Sequence, residues 1–95
     1  MAHVQAFLAL AEELHFGRAA QLLHVSQPRV SRLIAALERQ VGGKLFERTS
    51  RKVTITPLGQ QLLAELRPAY EQMHAALDHN QRTAFKAASP DPKIN

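Results

Sequence analysis

The chain has 95 residues, 45% hydrophobic and 21% charged, which suits one small globular domain and excludes two domains or wholesale disorder. It has no cysteine, no apolar run long enough to cross a bilayer and no start of a signal peptide, so we expect a cytoplasmic protein without disulfides, thiolate metal sites or membrane contact. Its formal net charge of +4 is compatible with a polyanionic partner, although a solvated basic surface is the more common reason for such a charge.

Two helices joined to a third by a tight turn are predicted first. Helical spacing predicts a helix over about 2–14, with a buried stripe of Val4, Phe7, Leu8, Ala11 and Leu14. Residues 15–17 interrupt it, and Gly17 is the predicted N-cap of a short second helix over 18–24. The two residues 25–26 leave room only for a tight turn, and helix, turn and helix form the unit that fixes a DNA recognition helix.

The third helix, 27–41, has a buried face and a polar face. Ser26 is a favoured N-cap residue, and Pro28 follows in the first turn, where its missing N–H is tolerated. The apolar face repeats at helical spacing through Val30, Leu33, Ile34, Leu37 and Val41. The opposite face has no acid and consists of Pro28, Ser31, Arg32, Ala35 and Arg39. Such a face suits the major groove of DNA, and Gly42 is expected to end the helix.

A short hairpin with a basic tip is predicted next. The polar run 48–52 is typical of a turn, Leu45 and Phe46 before it are expected to return to the core, and 53–55 alternates like a short strand. Together they indicate a wing over about 48–53. Thr56 and Pro57 then combine an N-cap residue with proline at the first helical position, which predicts a fourth helix.

The fourth helix is expected to run to about Arg82. The helix carries a seam, which is a row of residues spaced 3, 4, 3, 4 as in helices that pair with a second helix. The seam consists of Leu63, Leu66, Tyr70, Met73 and Leu77. We therefore predict a homodimer through this seam; packing of the same face on the chain's own domain is the alternative. Pro68 should bend or break the helix, and 83–95 has the composition of a flexible tail.

Positive charge is concentrated in the first part of the chain. Residues 1–59 carry eight Lys and Arg against four Asp and Glu, whereas residues 60–95 carry four of each. The stretches 14–37 and 48–64 contain bases and no acid. A polyanion would meet no local repulsion there.

A longer set of dispersed residues identifies a family. In order, the set is the run 11–20, Leu23, Ser26-Gln27-Pro28, Ser31-Arg32, Leu37-Glu38, Gly42, Leu45-Phe46, Arg48, Thr56-Pro57 and Gly59. Over about 2–82 the chain closely resembles the N-terminal DNA-binding domain of LysR-type transcriptional regulators. The resemblance implies a mainly α-helical winged helix-turn-helix with a two-stranded wing (1–57), a linker helix that pairs with a second subunit (58–82) and binding to an interrupted inverted repeat near a promoter.

The resemblance also has departures. Arg29 stands where the family usually has a small or apolar residue, and Gly17 stands where Ser or Thr more often caps the second helix. The family's effector-binding domain has no counterpart, so any small-molecule effector would bind a domain missing from this chain. Two interpretations of this difference are compatible with the sequence, a shortened chain and a natural stand-alone regulator.

The recognition helix is assigned base and phosphate contacts. By family pattern Gln27, Pro28, Ser31 and Arg32 face double-stranded DNA. Gln27 can pair with an adenine edge, and Arg32 can reach a guanine edge or a phosphate. Ser31 is expected at a phosphate, and Pro28 against a thymine methyl group. For Arg29 there are three alternatives, namely a phosphate contact, a base contact that alters specificity and a solvated surface position, of which we favour the phosphate contact.

The wing and the second helix are assigned the remaining contacts. Arg51 enters the minor groove by family pattern, and Lys52 is expected beside it, since narrow grooves concentrate negative potential. Arg18 is expected at a phosphate, as is Ser50, with Thr49 as the alternative to Ser50.

No metal, cofactor or catalytic site is predicted. Of the five histidines, His74 and His79 are five residues apart, off a shared helical face and without a third ligand. A glycine-rich phosphate loop, a nucleophile elbow and paired carboxylates are all missing, so an enzyme is not expected. The sequence predicts a dimeric, sequence-specific DNA-binding domain; the alternative is a helical interaction module with only non-specific DNA affinity.

Overall fold

Four helices and a two-stranded sheet follow one another along the part of the chain that the structure describes. The computed structural model describes the backbone of residues 1–88 and the side chains of residues 1–80. The elements are α1 (Ala2–Glu13), α2 (Phe16–Leu23), α3 (Gln27–Val41), β1 (Phe46–Arg48), β2 (Val53–Ile55) and α4 (Pro57–Ala88). This order and pairing confirm the predicted winged helix-turn-helix with a long fourth helix.

The first three helices pack against one another around a small core. α1 contacts both α2 and α3, and α2 contacts α3. The largest fully buried side chains are Phe7, Leu10, Val30 and Leu45. The ring centroids of Phe7 and Phe46 lie 5.6 Å apart, a separation typical of aromatic pairs in cores. The core therefore extends from α1 to the first strand.

The connection between α1 and α2 differs from the prediction. Leu14 ends α1 in the left-handed region with φ 51° and is 40% exposed, so it is not part of the buried stripe. The N-cap of α2 is His15, whose Nδ1 accepts a hydrogen bond from the backbone N–H of Arg18 at 3.0 Å. The prediction of Gly17 as N-cap was wrong, because an imidazole nitrogen here replaces the oxygen acceptor of the usual capping residues.

The ends of α3 agree with the prediction. Ser26 Oγ accepts a hydrogen bond from the backbone N–H of Arg29 at 3.2 Å, and Pro28 lies in the first turn. Gly42 ends the helix with φ 84°, in the left-handed region that glycine adopts without a Cβ penalty. These caps hold α3 at a defined position after the turn.

The two strands form an antiparallel pair. Phe46 lies opposite Ile55 and Arg48 opposite Val53, and the chain reverses over 49–52. This pair confirms the predicted two-stranded wing. Sequence reasoning set no bounds for its first strand, because β1 has a buried phenylalanine followed by two charged residues. The wing is thus anchored in the core at one end and exposed at its tip.

Thr56 joins α4 to the domain. Its Oγ1 donates to the Lys44 carbonyl at 2.7 Å and accepts from the Gly59 N–H at 3.0 Å. Its own backbone N–H donates to the Leu45 carbonyl at 3.0 Å. Gly59 packs so closely on this loop that a Cβ would collide with the Leu45 carbonyl. The first turn of α4 is therefore fixed to the connection between α3 and β1.

The rest of α4 is one continuous helix. Pro68 lies inside it and does not break it. The helix ends at Ala88, beyond the predicted end at Arg82, because 83–88 lacks glycine and proline and includes strong helix formers. The predicted tail therefore begins too early, and its residues 89–95 lie outside the described part of the chain.

We expect Thr56→Val to lower the free energy of unfolding by about 1–3 kcal/mol, because the isosteric side chain leaves the Lys44 carbonyl and the Gly59 N–H without their partner. Urea unfolding followed by circular dichroism at fixed protein concentration measures the change. Thr56→Ser retains the hydroxyl group and is the matched control, with a clearly smaller loss. Equal losses would show that the methyl group, and not the hydrogen bonds, holds α4.

Candidate nucleic-acid interface

The exposed face of α3 is set by its buried face. Three apolar residues turn inward, namely Val30, Ile34 and Leu37. This burial fixes the rotation of the helix about its axis. The predicted contact residues consequently face outward: Ser31 is half-buried, and the exposed ones are Gln27, Pro28, Arg29 and Arg32. The first two turns of α3 present amide, hydroxyl and guanidinium groups and no carboxylate.

Thr49 organises the tip of the wing. Its Oγ1 accepts from the backbone N–H of Lys52 at 3.1 Å and of Arg51 at 3.3 Å. Its backbone N–H donates to the Lys52 carbonyl at 2.9 Å. These bonds close the turn and leave Ser50, Arg51 and Lys52 exposed. Because the turn is already shaped, its backbone has less freedom to lose when the two cations bind a partner.

A cleft joins the start of α3 to the wing. It is lined by residues 14–17 from the α1–α2 connection, by Gln27 and by residues 48–53. The structure therefore brings Gln27 together with three predicted wing contacts, Ser50, Arg51 and Lys52. The other predicted contacts on α3 do not line this cleft.

Arg18 is engaged within the chain. Its Nε lies 3.2 Å from Glu13 Oε1, and its Nη2 donates to the Glu13 carbonyl at 3.3 Å. The Arg18 side chain is 59% exposed. The structure thus gives this predicted phosphate contact a second role, which is to close the end of α1 onto the start of α2.

Two residues that sequence reasoning did not select also border the cleft. The guanidinium carbon of Arg48 lies 4.2 Å from the centroid of the Phe16 ring, a cation–π geometry that ties the wing to α2 and fixes a positive charge. His15 lines the cleft while it caps α2. The acid-free run over 48–64 was a signal for Arg48, whereas no sequence pattern indicates capping by an imidazole.

The five seam residues of α4 have different surroundings. Leu63 and Leu66 pack partly on the domain core. The Tyr70 hydroxyl accepts from Gln5 Nε2 of α1 at 3.1 Å. Farther along, Met73 is half-buried and Leu77 is 60% exposed. The first part of the seam therefore follows the alternative interpretation, in which it packs on its own domain, and the last part is free for a partner.

The structure also bears on metal ions and membranes. Among the side chains that it describes, no three of His, Asp or Glu are grouped to hold a metal ion. His74 packs on Tyr70 with ring centroids 4.6 Å apart. None of the helices in the described part of the chain combines the length and apolarity that crossing a membrane requires.

Comparisons with known sequences point to one family. The family model described as "Bacterial regulatory helix-turn-helix protein, lysR family" matches residues 1–60. The HTH-type transcriptional regulator YnfL of Escherichia coli strain K12 is 45% identical over 98 residues, with 93% of this chain and 33% of the relative covered. AlsR of Bacillus subtilis strain 168, also an HTH-type transcriptional regulator, is 45% identical over 82 residues, with 86% and 27% covered. The chain thus spans about a third or less of the length of these relatives.

One of the solved structures similar to this chain is a complex with DNA. The BenM DBD/catB site 1 DNA complex matches with a TM-score of 0.81 at 34% identity, over 87% of this chain and 93% of that chain. A DNA-bound domain therefore shares the fold of nearly the whole chain. With the family model covering most of its length, the chain belongs to the lysR family of bacterial regulatory helix-turn-helix proteins and is a DNA-binding domain of that family.

Proposed function

We propose that this domain binds an interrupted palindromic operator as a homodimer and reads its sequence through the first two turns of α3. The observation that carries the proposal is the exposed, acid-free face of α3 beside a basic wing with a closed turn. Such a helix fits the major groove, and narrow minor grooves attract arginine. The DNA bound in the BenM complex supports DNA as the partner.

Gln27 and Arg32 read bases in this proposal. Both are exposed on α3, and each can make two hydrogen bonds to one base, glutamine to adenine and arginine to guanine. Ser31 and Arg29 bind phosphates and hold the register, since backbone contacts position a protein without reading sequence. Pro28 packs against a thymine methyl group.

The wing anchors the domain in the adjacent minor groove. Arg51 enters the groove, while Lys52 and Ser50 contact the backbone beside it. Arg18 also reaches a phosphate. Its ion pair with Glu13 is exposed, and exposed pairs are worth about 0–1 kcal/mol, so a phosphate can replace the carboxylate.

The dimer places two copies of α3 on two half-sites. Pairing runs through the part of α4 beyond the core contacts, with Tyr70, Met73 and Leu77 as its apolar residues. The high exposure of Leu77 in the single chain supports this location. A two-fold symmetric pair matches a palindrome, because each subunit meets the same half-site sequence.

The relatives support a role in transcription regulation. YnfL and AlsR are HTH-type transcriptional regulators. We place this chain's activity in transcription regulation at the bacterial nucleoid, in the cytoplasm, without an enzymatic step.

We expect Arg32→Ala to weaken operator binding by about 1–3 kcal/mol, because a bidentate contact to a guanine is lost. The measurement is a titration of palindromic duplex at two salt concentrations, in which a base contact changes the salt dependence little. Arg67→Ala is the control, since Arg67 is an exposed arginine on α4, which carries none of the residues assigned to DNA. Equal losses in the two variants would contradict base reading by Arg32.

We expect Thr49→Val to weaken operator binding about 2- to 10-fold, because the hydrogen bonds that shape the wing tip are lost. No charge is removed, so the number of phosphate contacts stays the same. Thr49→Ser keeps the acceptor and serves as the control in the same duplex titration. If Thr49→Val binds like the unaltered chain, the closed turn does not contribute to the interface.

We expect the pair of substitutions Met73→Gln and Leu77→Gln to raise the dimer dissociation constant at least about 100-fold, since each buried apolar side chain contributes about 1.5–3 kcal/mol. Analytical ultracentrifugation measures it. Both substitutions are uncharged, so affinity for a single half-site should survive while palindrome binding falls.

Leu22→Gln is the control for the dimer, because Leu22 is 56% exposed but lies on α2. An unchanged dimer in the α4 variant would show that the pairing surface lies elsewhere. Equal affinities of the unaltered chain for palindrome and scrambled duplex would favour an interaction module with non-specific DNA affinity.

A further inference from the structure

Three residues from different elements meet beneath the first turn of α3. His15 precedes α2, Gly17 lies in the first turn of α2, and Gln27 begins α3. All three line the cleft next to the wing and also a second concavity beside α2. The ridge between the two depressions is therefore made by these residues.

The His15 ring is held in one place. Its backbone is extended, with φ −155° and ψ 116°, and its Nδ1 accepts from the Arg18 N–H at 3.0 Å. Since Nδ1 is the acceptor, a neutral ring carries its proton on Nε2. Rotation of the ring would leave the first turn of α2 without its cap.

Glycine at position 17 is explained by the lack of space for a side chain and not by its backbone conformation. Its φ is not in the left-handed region; Gly42 is the glycine with a positive φ in the described chain. Glycine inside a helix weakens it relative to alanine. An added Cβ at residue 17 would lie 2.9 Å from His15 Cε1 and 3.3 Å from Gln27 Nε2. The space that the missing side chain leaves is thus bounded by the cap and by the carboxamide of Gln27.

We propose that His15 and Gly17 are positioning residues that seat the Gln27 carboxamide and so determine which base pair it prefers. The inference rests on the proposed reading of DNA by α3. A bidentate contact with a base requires the amide in one orientation, and a glutamine side chain that is already placed loses less conformational freedom on binding. The seat is the space beside residue 17 that holds the Gln27 carboxamide. The fixed imidazole of His15 forms one of its walls, and the absence of a side chain at residue 17 lets the carboxamide approach the imidazole.

The test is selection of bound duplexes from a library of randomised half-sites. Gln27→Ala identifies the base pair that Gln27 reads. Gly17→Ala should change the preference at that same base pair at least about 5-fold and should have no further effect when combined with Gln27→Ala. His15→Asn keeps a capping oxygen but removes the ring, and it should relax the same preference. Gln21→Ala, an exposed change on the same helix, is the control and should leave the preference unchanged.

A second measurement needs no DNA. The side-chain amide resonances of Gln27 in a ¹⁵N spectrum should shift in Gly17→Ala and in His15→Asn, and not in Gln21→Ala. Unshifted resonances, or a preference altered at a different base pair, would overturn the seat. A flat selection profile for the unaltered chain would instead contradict the proposed function, while the amide resonances still decide whether the seat exists.

Discussion

The burial of one face of α3 is the constraint on which the interface depends. Val30 lies between two polar residues and is fully buried, so the helix cannot rotate about its axis without exposing an apolar side chain, at a cost of roughly 1.5–3 kcal/mol for each one. Phe7 and Leu10 of α1 are buried in the same core, and α1 packs against α3. The surface that we propose to face DNA is therefore specified by buried residues, and α1 contributes to the proposed recognition by holding α3 in register.

A second constraint connects the recognition unit with the long helix. Thr56 bonds to the loop after α3 through its side chain and its backbone, and Gly59 allows that loop to lie directly on α4. The first strand begins directly after the bonded loop, and α4 begins directly after Thr56. Glu38 of α3 adds to it, because its Oε2 accepts from the Leu45 N–H at 2.9 Å. Recognition helix, wing and α4 thus share a single hydrogen-bonded joint.

The elements of the fold were predictable because their signals are local. Ser26 and Gly42 mark the ends of α3 by side-chain chemistry and by backbone freedom, and helical spacing marks its buried face. The features that were missed depend on partners distant in space or on unusual chemistry. Capping by His15 has no sequence pattern. Likewise, spacing could not show that Leu66 packs on its own core while Leu77 stays exposed, since both lie on the same heptad seam.

The continuity of α4 through Pro68 makes this helix a mechanical lever. Its 32 residues span about 48 Å at a rise of about 1.5 Å per residue. A tilt of about 5° at the first turn displaces the far end by about 4 Å, and the reverse holds for a force applied there. The hydrogen bond between Gln5 and Tyr70 restrains α4 partway along its length. A small movement at the Thr56 joint and a large movement at the far end of α4 are therefore the same motion seen at two places.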